Sequence, residues 1–134
     1  MAKIESKIGK INKSDDRVYE FLSDFNNFGH LIPDDKVSDW QADHESCSFK
    51  VEGIGSAAMR ITEKEPNKLI KISSEGKTPI SFLLWIQLKK VEENDTRIKI
   101  TVEPQVNPMM ITMVKKPLKS FVDSLVDKAE QFPF

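Results

Sequence analysis

From residue 46 to residue 103 the chain reads SCSFKVEGIGSAAMRITEKEPNKLIKISSEGKTPISFLLWIQLKKVEENDTRIKITVE. Apolar side chains recur here at every second position, as in Cys47-Phe49-Val51, Ala57-Met59-Ile61, Ile70-Ile72 and Ile98-Ile100-Val102. Apart from Ala58, the residues between them are polar or charged: Ser48, Lys50, Arg60, Lys71, Lys99 and Thr101, with Thr62 and Arg97 continuing the outer face. A period of two is the mark of a strand with one buried and one solvated face. The runs 46–52, 56–63, 68–74, 80–91 and 96–103 are therefore expected strands, and 37–42 is a sixth. The breaks carry turn chemistry: Asp43-His44-Glu45, Gly53-Ile54-Gly55, Pro66-Asn67, Gly76-Lys77-Thr78-Pro79 and Glu93-Asn94-Asp95. Strands this close, with no helix between them, form an antiparallel meander.

The flanks change period. Residues 3–11 read as a first strand, with Ile4, Ser6 and Ile8 on one face. Ser14 is a helix N-cap, with Asp15 and Asp16 at the positive end of the helix dipole. Val18, Phe21, Leu22 and Phe25 follow at helical spacing. Asn26 to Gly29 ends that helix, and His30-Leu31-Ile32 predicts a second short turn before Pro33 and Asp34-Asp35. After residue 103, Asn107-Pro108 opens a long final helix with Met110, Met113, Val114, Phe121, Leu125 and Ala129 as its apolar stripe. Pro117 lies inside it and predicts a kink near 113–117 or two abutting helices. A sheet with one greasy face and a helix with a matching stripe bury each other, which gives an α+β domain over residues 1–134.

Composition narrows the functional classes. The chain has 134 residues, 39% hydrophobic and 31% charged, the profile of a globular domain. Twenty basic against twenty-one acidic residues leave a net charge of -1, which argues against a general nucleic-acid footprint. Lys115, Lys116 and Lys119 form a local basic group that reads as a solvated helix face. No apolar run approaches the roughly 20 residues that span a bilayer. The N-terminal segment has no apolar core of a secretory signal, and the expected location is the cytoplasm. The sequons at Asn12 and Asn94 then carry no weight.

Metal or nucleophilic chemistry finds little support. His30 and His44 lie in separate loops, and Cys47 stands alone within a strand, so no metal site, catalytic residue or cofactor is expected. Gly53-Ile54-Gly55-Ser56-Ala57-Ala58 matches the dinucleotide fingerprint, but residues 59–63 continue as a strand where that motif needs a helix. A register slip would bring Arg60, Glu75, Gln87 or Glu103 inside, and one of these paired with His30 would revive an enzyme reading. Leu83 and Trp85 put apolar side chains on the outer face, where a loop covers them or a homodimer contact uses them.

Several segments resemble the START/Bet v 1-like superfamily, also called SRPBCC or polyketide cyclase-like. They are the early helix with Val18, Tyr19, Phe21 and Leu22, the stretch from Asp24-Phe25 to Pro33, Gly55-Ser56, Asp95-Thr96-Arg97-Ile98, and the helix over residues 110–125. The resemblance covers essentially the whole chain. It implies a helix-grip fold: a curved antiparallel sheet of about seven strands around a long C-terminal helix, with two short helices after the first strand. It also implies a cavity between sheet and helix that holds an apolar or aromatic small molecule, a lipid among the candidates. Aromatic Phe25, Phe28, Trp40, Phe49, Phe82 and Phe121 supply broad faces for such a cavity. Aliphatic Ile61, Ile72, Leu84 and Ile100 add inward side chains, flexible Met59, Met110 and Met113 add adaptable ones, and His30 stands near the expected mouth. Polyketide cyclase- or dehydratase-like enzymes and co-chaperone-like interaction modules are the alternatives the same resemblance implies.

Overall fold

A computed structural model describes residues 3–32, 35, 37–52, 55–76 and 81–134. The turns expected at Pro33-Asp34, Gly53-Ile54 and residues 77–80 lie outside the described residues. The order is β1 (Ile4–Glu5), β2 (Gly9–Ile11), α1 (Asp15–Leu22), α2 (Phe25–Phe28) and a 3-10 turn (Gly29–Leu31). Then follow β3 (Val37–Ala42), β4 (Ser46–Val51), β5 (Gly55–Glu65), β6 (Leu69–Ser74), β7 (Phe82–Glu92), β8 (Asp95–Pro104) and α3 (Pro108–Gln131). The strands form one antiparallel sheet in the order β1-β8-β7-β6-β5-β4-β3, with β2 also on β8. This is the helix-grip α+β architecture, and β5 is a strand where the glycine motif would have needed a helix.

The first strand is split by a bulge. Ile4 and Glu5 face Val102 and Thr101, whereas Gly9 faces Ile98, so Ser6, Lys7 and Ile8 oppose only Ile100 and Lys99. The Ser6 hydroxyl fills the gap by accepting the Ile100 N–H at 2.8 Å, while the Ser6 N–H donates to the Ile100 carbonyl at 2.8 Å. One extra residue inverts the facing of everything after it. Ile4 and Ser6 are buried as expected, but Ile8 is turned out and 67% exposed, and Gly9 and Ile11 take the inner face.

A second bulge settles β3. Strict alternation cannot bury both Val37 and Trp40. Asp39 adopts a left-handed backbone, φ 56°, and the pairing with β4 shifts between Ser38 and Gln41. Val37 is buried and Trp40 packs against the core from the same side. The indole lies so close to Gly29 that a Cβ there would sit 2.8 Å from Trp40 Nε1.

α3 is one helix of 24 residues that runs through Pro117, so of the kink or division expected near 113–117 the division into two helices does not occur. Asn107 caps it, its side-chain oxygen accepting the Met110 N–H at 2.9 Å, and Pro108 occupies the first turn, where no N–H is needed. The carbonyl deprived of a donor by Pro117 belongs to Met113, on the solvent side. The buried face is Val114, Leu118, Phe121, Val122, Leu125, Val126 and Ala129. Met113 is 70% exposed, because it lies about 100° around the helix from Val114, beyond the arc that meets the sheet. The stripe read from the sequence is corrected there: Leu118 belongs to it and Met113 does not. Among the described residues no helix is long and apolar enough to cross a membrane.

The helix also covers a sheet edge. Asp123 accepts the Lys7 N–H at 2.8 Å, and Glu130 accepts the Lys10 N–H at 2.9 Å. Asp127 pairs with the Lys7 ammonium, and Lys119 donates to the Glu5 carbonyl at 2.9 Å. Edge N–H groups that would otherwise invite another strand are thus engaged by α3.

Candidate functional site

A gap remains between the sheet and the middle of α3. It is lined by Phe49 and Val51 of β4, Ser56, Ala57 and Met59 of β5, Phe82 and Leu84 of β7, Val102 of β8, and Leu118 and Phe121 of α3. Its origin is a size mismatch across two strands. Phe49 pairs with Ala57 and Val51 pairs with Gly55, so the large side chains of β4 face almost nothing on β5. The cavity amounts to about 30 Å³, well below the roughly 150 Å³ of an apolar cavity that accepts benzene. Among the described residues the side chains around it are apolar except for Ser56, which is exposed.

Of the residues anticipated for a cavity, the structure brings Phe49, Met59, Phe82, Leu84 and Phe121 together around this space. Phe25, Phe28 and Trp40 sit beside it in a chain of rings. Phe25 and Phe28 meet edge to face at 5.6 Å, Phe28 and Trp40 stack at 6.4 Å, Trp40 and Phe49 lie 5.6 Å apart, and Phe49 stacks on Phe121 at 6.2 Å. The chain ties α2 to the sheet and the sheet to α3. Ile61, Ile72 and Ile100 are buried in the core away from the gap, and Met110 is only half-buried in the first turn of α3. His30 is exposed and belongs to a different cluster, 5.7 Å from the Phe132 ring and 6.3 Å from Phe21, at the C-terminal end of α3. The expectation that it stands at the mouth is corrected by that packing. Leu118 and Ser56 were missed, and Val51, Ala57 and Val102 were read only as strand positions; Leu118 follows Val114 by four residues and precedes Phe121 by three, a signal masked by the neighbouring proline.

Among the described residues the titratable groups stand elsewhere. Arg60 points outward, its Nε 2.6 Å from Glu75 and its guanidinium 3.7 Å from Glu45. Gln87 accepts from Thr101 at 3.2 Å on the outer face. Burial, with Asp43 and Glu75 nearby, pushes the Cys47 thiol up to about 12, so it carries no thiolate at neutral pH. Among the described residues no three His, Cys, Asp or Glu side chains are grouped to hold a metal ion. Leu83 and Trp85 are half-buried on the outer face, where Lys3 places its ammonium 5.2 Å from the centre of the Trp85 ring.

The other histidine ties α2 to the β3–β4 turn. Asp24 caps α2 by accepting the Asn26 N–H at 2.9 Å, and its second oxygen lies 3.0 Å from His44 Nδ1. The Asn26 N–H, followed by His44, holds the Asp24 carboxyl below its ordinary value. A lowered folded value means stability that is present above the unfolded carboxylate range and lost as pH falls through the folded one. Urea midpoints are therefore expected to fall on the acid side, and Asp24→Asn, which keeps an acceptor but no charge, should make that acid limb shallower. An unchanged limb would show that the cap is insensitive to its charge.

No protein-family model and no curated protein matches the sequence. Solved structures do share the fold. A START superfamily protein from Mycobacterium smegmatis is 14% identical, with a TM-score of 0.76 over 96% of this chain and 94% of that one. The di-domain ARO/CYC protein BexL of the BE-7585A biosynthetic pathway is 13% identical, with a TM-score of 0.75 over 98% of this chain and 46% of its own. An Aha1 from Colwellia psychrerythraea, solved in solution as a dimer, is 20% identical, with a TM-score of 0.68 over 97% of each chain. At these identities the likeness is one of fold alone: the chain shares the helix-grip fold of these structures.

Proposed function

We propose that the chain binds an apolar small molecule, lipid-like or aromatic, between β4, β5, β7, β8 and the middle of α3. The observation that carries this reading is the size mismatch of Phe49 and Val51 against Ala57 and Gly55, which leaves an apolar gap under Leu118 and Phe121. A gap of about 30 Å³ holds no lipid as it stands. Binding requires Phe121, Leu118 and the first turns of α3 to move outward. Those turns are lightly held: before Leu118, Val114 is the buried residue of α3. Each methylene taken from water then contributes roughly 0.8 kcal/mol, against the cost of that movement. The apolar-binding role is supported by the fold and by the lining, and no pair of acid and base faces the gap among the described residues.

A thermal-shift screen with fatty acids and polycyclic aromatics tests it. At least one class is expected to raise Tm by mass action on the folded state. Ala57→Leu, which fills the gap from β5, should abolish the rise without loss of the folded circular dichroism signal. No rise with any compound, or an undiminished rise in the filled variant, defeats the reading.

A further inference from the structure

We infer that the first three turns of α3 form a docking surface for an anionic lipid bilayer. Met109 and Met113 stand one turn apart on the same side of the helix, 79% and 70% exposed. Side chains this exposed protrude from the surface of the described residues. Lys115 and Lys116 follow directly and are exposed, with no ion pair among the described residues. Between residues 104 and 122 the chain has Lys115, Lys116 and Lys119 but no Asp or Glu. The acidic residues of α3, Asp123, Asp127 and Glu130, come later and are engaged with the β1–β2 segment. The helix is thus divided into a basic, methionine-bearing first half and an acidic, sheet-latched second half.

Protruding apolar side chains flanked by free ammonium groups fit the boundary between headgroups and acyl chains of a negatively charged membrane. An acidic peptide would satisfy the lysines but leave Met109 and Met113 in water, whereas a bilayer engages both kinds of side chain. The surface lies about one and a half to two and a half turns before Leu118 and on the opposite side of α3, so the gap stays behind the docked helix. Docking itself does not depend on the gap being filled.

Sedimentation with vesicles tests it, using phosphatidylcholine alone and phosphatidylcholine mixed with phosphatidylserine. The intact chain should co-sediment with the mixed vesicles, weakly or not at all with the neutral ones, and less as salt is raised. The Lys115→Ser/Lys116→Ser variant should bind the mixed vesicles about thirtyfold more weakly. The Met109→Gln/Met113→Gln variant should also lose binding, with thermal unfolding unchanged because both side chains are exposed. Absence of binding to either vesicle, or equal binding to both, overturns the inference. So does capture of the chain by polyglutamate with both vesicle types silent, which would give the lysines to an acidic protein. The gap-filled Ala57→Leu variant separates the two readings: it should still sediment, whereas native protein that takes up a ligand from solution but ignores vesicles would retain the cavity and lose the docking surface.

Discussion

Gly9→Ala is expected to lower the stability of the fold by about 1–3 kcal/mol, the usual cost of forcing an extra carbon into a packed interior. Two effects of opposite sign compete at this position. Gly9 is not among the residues with a positive φ, so alanine can adopt its backbone, and removing glycine's freedom in the unfolded chain would by itself stabilise by about 0.4–1 kcal/mol. The space decides the sign. A Cβ on Gly9 would sit 2.5 Å from Val126 Cγ1, 3.1 Å from Ile98 Cγ2 and 3.2 Å from Glu130 Cγ. Glu130 is exposed and can move, but Val126 and Ile98 are wholly buried. Relief therefore requires β2 and α3 to part, which would also strain the Lys10–Glu130 hydrogen bond. Val126→Ala removes the blocking methyl, so the double variant should be less destabilised than the two single losses added together, and a cycle of urea midpoints reads the coupling directly. A neutral or stabilised Gly9→Ala protein would mean that α3 does not lie on β2 at this distance, and the helix grip itself would need revision.

What could be read from the residues, and what could not, divides along physical lines. The inner and outer faces of β4, β5 and β8 were legible because charged or hydroxyl residues alternate with the apolar ones, Ala58 apart, so that only one register buries no charge. The bulges were not legible. At Ile8 the inversion follows from the Ser6 hydroxyl taking the place of a backbone carbonyl, and at Trp40 from the left-handed backbone of Asp39. Neither device changes hydrophobicity, which is what periodicity measures. Pro117 suggested a broken helix on local grounds, but Leu118, Phe121, Val122 and Leu125 continue the buried face immediately beyond it, and tertiary packing overrides the propensity. The candidate site follows the same division. Residue type identified greasy inward positions, but the gap arises from Phe49 standing opposite Ala57 and Val51 opposite Gly55, and pairing partners are known only once the register is. His30 was assigned to the mouth by its place in the chain, whereas the ring contacts with Phe21 and Phe132 fix it at the far end of the helix.

Phe121 brings these strands of reasoning to a measurement. Its ring stacks on Phe49 at 6.2 Å, ends the aromatic chain that starts at Phe25, and forms the roof of the gap. Phe121→Ala should cost about 3–5 kcal/mol, because buried ring surface is lost and the surrounding strands collapse only in part. Part of that loss should be recoverable in a manner that ordinary core damage is not. The vacated space joins the existing gap and approaches the apolar cavities of about 150 Å³ that stay dry and accept benzene. Benzene or indene at saturation is therefore expected to raise the Tm of the Phe121→Ala protein more than that of the native chain. Leu125→Ala, an equally buried truncation one turn further along α3 and away from the gap, should lose comparable stability yet recover little with either compound. Equal recovery in both variants would mean that the ligand only fills whatever hole is made. Recovery confined to Phe121→Ala would identify the space beneath residues 118–121 as the part of this interior already shaped to receive an apolar guest, with Phe121 as the side chain that a natural ligand must displace.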